Sequence, residues 1–213
     1  TAGDDNWFVS RLTDTGYVSS NSTAAENTYS YTEWDHMAGW GRTWSSSDQS
    51  WMFRRAPGFF DAVLYTSPGT SPDPQVVNHN LSVTPELIIV KNRSSVTNWV
   101  VWQSSLGTSN MSLDGNWAAG VLTSRIEGAT STTFSVGTQG QAGGTSGNNY
   151  VAYLFASLAG ISKVGTYEGT GSAFNIDCGF AAGARFVLIK CTSSTGHWMV
   201  YDSTRGIVSG DDP

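Results

Sequence analysis

The sequence predicts an all-β protein made of repeated β-sandwich-like units. Three observations carry that expectation: a composition poor in charge and rich in small polar residues, apolar runs of strand length bounded by turn residues, and a segment that recurs at a constant offset. The chain has 213 residues, enough for one large or two ordinary domains with their own cores. Charged residues supply only 13% and hydrophobic residues 39%, and Ser, Thr, Gly and Asn fill the difference. Nine Trp, eight Tyr and nine Phe are too many apolar rings to leave in water, which excludes disorder. The net charge of −6 and pI near 4.8 leave no basic face for a phosphate backbone or an anionic lipid surface. Nucleic acid and membrane are therefore not expected partners. No run is long and apolar enough to span a bilayer. A chain that opens Thr1-Ala2-Gly3-Asp4-Asp5, without initiating Met, leader or lipidation motif, reads as part of a longer parent.

Taken in order, strands are expected at 59–66, 75–79, 87–92, 99–103, 133–136 and 150–157, then at 162–167, 174–178, 184–191 and 198–202. Each is rich in β-branched and aromatic residues. The turns between them use residues that tolerate positive φ, as in Gly169-Thr170-Gly171-Ser172, Ala182-Gly183-Ala184 and Ser194-Thr195-Gly196. The continuous run Leu87-Ile88-Ile89-Val90 implies burial on both faces, as in a sandwich or a close interface. No segment holds a period of 3.6 over three turns. The expected core includes Tyr65, Ile89, Trp99, Phe155, Tyr167, Leu188 and Trp198. If 172–178 pairs with 185–191, Cys178 and Cys191 lie at opposite ends of the hairpin, too far apart for a disulfide. Two free, mostly buried thiols are expected, with a bridge as the alternative, and free thiols fit assembly in a reducing cytoplasm.

The repeat organises the chain. Lys91, Ser94, Ser95, Trp99 and Val101 recur as Lys190, Ser193, Ser194, Trp198 and Val200, an offset of 99 throughout, followed by Ser104/Ser203 and Gly107/Gly206. A second block, Ser50-Trp51-Met52-Phe53, recurs as Ala152-Tyr153-Leu154-Phe155, and Tyr65 meets Tyr167, at an offset of 102. The difference of three falls in the loop 67–74, which can absorb it. Asn6-Trp7-Phe8-Val9 resembles Asn98-Trp99-Val100-Val101 and starts a third, partial copy. The expected organisation is the later part of one unit at 1–55, a complete unit at 56–157 and the first part of another at 158–213.

Candidate chemistry is sparse. A nucleophilic triad needs a histidine base, but His36, His79 and His197 lie in no nucleophile motif, and His79 and His197 align with Cys178 and Asn98, structural positions of the repeat. Glu33 and Asp35 would share one face of a strand, yet nothing marks an acid and a nucleophile as a glycosidase requires, and a surface pair is the plainer reading. Asp4-Asp5 and Asp211-Asp212 lack the spacing of a calcium loop. No catalytic residue, metal site or cofactor is expected. Four Asn-x-Ser/Thr sequons, at Asn21, Asn80, Asn92 and Asn110, are expected by chance in so Asn- and Ser-rich a chain. Between Tyr31 and Trp44, rings crowd among small and polar residues. Trp34, Trp40 and Trp44 can stack on sugar rings while Asp35 and Arg42 bond hydroxyls, a candidate glycan or partner site. The same rings also fit a core plug or a subunit contact.

The blocks Ile88-Ile89-Val90-Lys91-Asn92-Arg93-Ser94, Tyr150-Val151-Ala152-Tyr153-Leu154-Phe155, Lys163-Val164-Gly165-Thr166-Tyr167, Gly183 to Lys190 and Trp198 to Gly206 resemble a repeated domain of tail-fibre-like virion structural proteins of marine phages and cyanophages. There the domain often follows a concanavalin-like lectin domain. The resemblance covers 56–213 well and 1–55 loosely, and the Tyr31–Trp44 segment departs from it. It implies a bacteriophage virion structural protein, a tail fibre or appendage engaged in host attachment, and not an enzyme. The implied location is the virion, assembled in the host cytoplasm. Implied partners are other virion proteins, further copies of the chain as a homo-oligomer (a trimer for a fibre) and a host-surface polysaccharide. A head fibre or capsid decoration protein is the alternative, and a polysaccharide depolymerase a further one.

Overall fold

A computed structural model describes residues 6–29 and 50–204. Its strands, in chain order, are β1 (Trp7–Val9), β2 (Gly16–Ser19), β3 (Asn27–Thr28), β4 (Phe60–Thr66), β5 (Gln75–Asn78), β6 (Leu87–Asn92) and β7 (Val100–Gln103), then β8 (Ser109–Ser112), β9 (Leu122–Thr123), β10 (Ile126–Ala129), β11 (Thr133–Val136), β12 (Asn149–Phe155), β13 (Phe186–Ile189) and β14 (Met199–Asp202). One 3-10 turn, Ser104–Leu106, follows β7, and there is no α-helix among the described residues. The fold is all-β, as the turn-rich, ring-rich composition predicts.

The centre is a sandwich. Six strands in the order β4-β12-β6-β7-β8-β9 form one sheet, and β10-β11-β5 form the facing one. Strand alternation divides β6 and β12 between two cores. Ile88, Val90, Tyr150, Ala152 and Leu154 face Val77, Ile126, Phe134 and Val136 of the smaller sheet. Ile89, Val151 and Tyr153 point out of the opposite face and join Ala62, Trp99, Val101 and Met111 in a second cluster. That outer face is covered by Phe8 and Val18 of the three-stranded sheet β1-β2-β3 and by Trp198. Burial on both faces explains why 87–90 is a continuous apolar run rather than an alternating one.

A rim loop fixes the sandwich. The Tyr65 hydroxyl donates to the Ala142 carbonyl at 2.6 Å, the Tyr150 hydroxyl lies 3.1 Å from the carbonyls of Gly140 and Gly143, and the Asn92 amide donates to Gly140 at 2.8 Å. Burial raises the pKa of both tyrosines, so they stay neutral donors.

Several expectations need correction. The segments 162–167 and 174–178 form no strand, and Tyr167 is 47% exposed rather than buried. The reason is pairing, not propensity. Their sequence copies β4 and β5 are held by β12 and β11 respectively, and neither partner recurs beside 162–178 among the described residues. The pairing of 172–178 with 185–191, on which the cysteine separation is conditional, does not form; β13 pairs with β14. Both cysteines are free, but Cys178 is only half-buried and Cys191 is exposed. Leu188 and Trp198 are half-buried, whereas Trp99 has no exposed surface.

Candidate functional site

The residues that recur most faithfully in the sequence, Lys91/Lys190 and Trp99/Trp198, build the same junction twice. Trp99 stands at the entry to β7. Asp114 holds it there: one carboxylate oxygen accepts the Trp99 amide at 3.0 Å and the other accepts the Asn98 side chain at 3.1 Å. The fixed indole reaches across the outer face and donates to the Ser19 carbonyl at 2.8 Å, with its ring 5.1 Å from that of Phe8. Lys91, fully buried on β6, donates from Nζ to the carbonyls of Thr23 at 2.9 Å and Thr97 at 2.6 Å. The Thr97 amide donates to the same Thr23 carbonyl at 3.0 Å, and the Glu26 amide donates to the Arg93 carbonyl at 2.9 Å. A bidentate pair closes the edge: Arg93 Nε and Nη2 reach the two Glu26 carboxylate oxygens at 2.8 and 2.7 Å. Burial lowers the Lys91 pKa to about 8, against the opposing pull of the Asp114 charge.

At the second junction the Trp198 indole donates to the Ser112 carbonyl at 2.7 Å, and Lys190 Nζ lies 3.4 Å from the Asn116 carbonyl. The Gly196 amide donates to Asn116 at 2.8 Å, and the Ala119 amide donates to Thr192 at 2.9 Å. All four bonds therefore recur. Later-segment residues shift by 99 (91/190, 93/192, 97/196, 99/198) and earlier-segment residues by 93 (19/112, 23/116, 26/119). The strand registers agree: Trp7 pairs with Ser19 and Phe8 with Val18, as Val100 pairs with Ser112 and Val101 with Met111. This places Phe8 over the position of Val101. Sequence similarity instead matches Trp7 to Trp99, one residue out of the structural register. The Glu26–Arg93 ion pair is not repeated, because Ala119 and Thr192 take those places.

In each of the four recurring bonds the earlier segment contributes only main-chain atoms. That is why sequence reading finds Lys91 and Trp99 but not Ser19 or Thr23; a carbonyl acceptor leaves no trace in residue identity. Asp114 acts through its carboxylate and is missed because it belongs to no recurring block. The arrangement docks one β segment on another through oriented donors in an apolar surround. It brings no nucleophile together with a base.

The sequence-derived glycan or partner site, Trp34, Asp35, Trp40, Arg42 and Trp44, lies outside the described residues, as do Glu33, His36 and both acidic pairs. His79 is buried, with Nε2 3.2 Å from the Thr130 carbonyl and Nδ1 accepting the Leu81 amide at 3.2 Å, so both ring nitrogens serve the main chain. His197 is exposed. Among the described residues no three His, Cys, Asp or Glu side chains converge as metal ligands.

The sequence profile of a family described as Domain of unknown function (DUF7483) matches residues 2–210 of the chain. No curated protein and no solved structure matches it.

Proposed function

The chain belongs to the DUF7483 family, and we propose that it is a structural component of a bacteriophage virion, a segment of a tail fibre or similar appendage. The observation that carries this reading is the repeated junction. The same four hydrogen bonds dock one β segment on the next at two places in one chain, which is how a chain gains reach from stacked units. The resemblance to tail-fibre-like proteins points the same way. So does the low-charge surface, which suits close contact between copies; the expected assembly is a homotrimer joined to other virion proteins.

In this reading the protein binds and does not cleave. Its ligand is a host-surface polysaccharide, with Trp34, Trp40 and Trp44 stacking on sugar rings and Asp35 and Arg42 bonding hydroxyls. Single-site affinity is weak, and many copies on one particle raise avidity by roughly 10²–10⁴.

The deciding experiment labels purified virions with an antibody to this chain and locates it by electron microscopy. Label on tail appendages is the expected result. Label on the head would assign a head fibre or decoration protein instead, and no label would remove the virion role. Light scattering tests the trimer. Incubation with host polysaccharide tests binding: retention without new reducing ends is expected, and sustained release of reducing sugar would establish a depolymerase.

A further inference from the structure

In the complete sandwich, β6 has a strand on each side, β7 on one and β12 on the other. The strand β13 is β6 again. Phe186-Val187-Leu188-Ile189-Lys190 follows Leu87-Ile88-Ile89-Val90-Lys91 at an offset of 99, and its pairs with β14, from 186↔202 to 189↔199, are the β6–β7 pairs 87↔103 to 90↔100 shifted by 99 throughout. Among the described residues β13 pairs with β14 alone. Among the described residues no strand pairs with its other edge, the one where β6 meets β12, and such an edge invites an added strand.

The chain also contains a β12 copy in no strand. Ser50-Trp51-Met52-Phe53 repeats Ala152-Tyr153-Leu154-Phe155 at an offset of 102, yet it carries no ladder, and Trp51, Met52 and Phe53 are exposed. In the sandwich Phe155 sits opposite Leu87, Leu154 opposite Ile88 and Tyr153 opposite Ile89. Carrying both offsets across places Phe53 opposite Phe186, Met52 opposite Val187 and Trp51 opposite Leu188. The rings already stand beside β13: Phe53 lies 6.1 Å and Trp51 5.5 Å from Phe186; the register comes from the two offsets. An antiparallel pair brings together the direct partner and the one two residues away on a shared face. The corresponding residues Leu87, Ile89, Tyr153 and Phe155 also share one face, that of the outer cluster.

We propose that the open edge of β13 is a strand-binding site and that its occupant is this chain's own Ser50–Phe53. The strand adds antiparallel with Phe53 opposite Phe186 and Ser50 opposite Ile189. Segments from the two ends of the chain thereby build a second sheet of the same kind. The Phe53 ring already lies 5.5 Å from Phe155 of the sandwich and 6.1 Å from Phe186 of β13, so the two segments meet without reordering the sandwich. The inference rests on the repeat and on ring placement, and it stands whether or not the protein belongs to a virion.

The test uses the full chain with Cys178→Ser and Cys191→Ser, into which Met52→Cys and Val187→Cys are introduced as directly opposed residues. Mild oxidation should convert this protein to an intramolecular disulfide that runs as a monomer on a non-reducing gel. A control with Met52→Cys and Leu188→Cys, whose second side chain points to the other face, should stay reduced. A measurement free of cysteine changes supports the first: outward amides of β13 should exchange at least about tenfold more slowly in the unmodified chain than with Met52→Pro. Equal reaction of both cysteine pairs, a disulfide found only between chains, or exchange unchanged by Met52→Pro would each overturn the proposal. The disulfide between chains would assign the strand to a second copy.

Discussion

Trp99 is where the sequence speaks most clearly and where substitution costs most. Its ring is fully buried and its indole N–H binds the Ser19 carbonyl. Trp99→Phe keeps most of the ring and strands that carbonyl, a cost of about 1–3 kcal/mol. Trp99→Ala empties the site as well and should cost about 3–5 kcal/mol. Urea midpoints measure both, and a loss under about 1 kcal/mol for the alanine variant would place the ring outside the core. Trp198→Ala should cost less, since that ring is half-exposed. Cys191 shows the opposite kind of position. It stands where the first copy has Asn92, whose side chain caps the Ser94 and Ser95 amides at 2.9 and 3.1 Å. Hydrogen bonds from Ser194 and then Ser193 lower its thiol pKa to about 7. The lowered pKa favours the thiolate near neutral pH, so a maleimide should label Cys191 well ahead of Cys178, whose labelling at an equal rate would contradict that environment. Neither the exposure of Cys191 nor its activation was legible in the sequence, because both depend on which turn closes around it.

Among the elements, strands buried on two faces are the ones the sequence announces most plainly, although the one-faced β5 and β11 are expected from it as well. The strand β6 is apolar at 87–90 because each alternate side chain enters a different core, and its extent follows from composition alone. The segment 162–167 carries the same local signal as β4 yet forms no strand, since strand preference is realised only beside a partner. The short strands β8, β9 and β10 carried too little apolar pattern to announce themselves. The rim loop over Tyr65 and Tyr150 makes a sharper prediction. Gly144 has φ +76°, and a Cβ there would run into the Thr138 main chain. Gly144→Ala should destabilise the sandwich by about 1–3 kcal/mol, read as a lower melting temperature. Gly147→Ala, with φ +79° but open space around it, should cost less. Equal losses would show that backbone strain, not collision, dominates.

For the molecule as a whole, the buried Lys91 sets a pH dependence. Its ammonium loses its proton near pH 8 in the folded chain but only near about 10.4 when unfolded. Between those values the unfolded state holds more protons, so this group makes stability rise with pH, by at most about 1.4 kcal/mol per pH unit. Below the folded value its penalty is fully present and the slope vanishes. Above about pH 10 the slope reverses, because unfolded tyrosines ionise there while burial keeps Tyr65 and Tyr153 protonated when folded. Urea midpoints at pH 7.5 and 9.5 should therefore increase in the natural chain, and the increase should shrink in Lys91→Met. An identical increase in both would assign the effect to other groups.

The recurring junction bonds draw only main-chain atoms from the receiving side, so its side chains are free to differ between copies. Thr23 and Glu26 of the first copy correspond to Asn116 and Ala119 of the second, Ser19 to Ser112, with the four contacts intact. Side-chain changes on that surface leave those main-chain partners in place, whereas replacing Lys91, Lys190, Trp99 or Trp198 removes a donor. Two receiving surfaces of unlike sequence thus serve the same set of donors and acceptors within one chain.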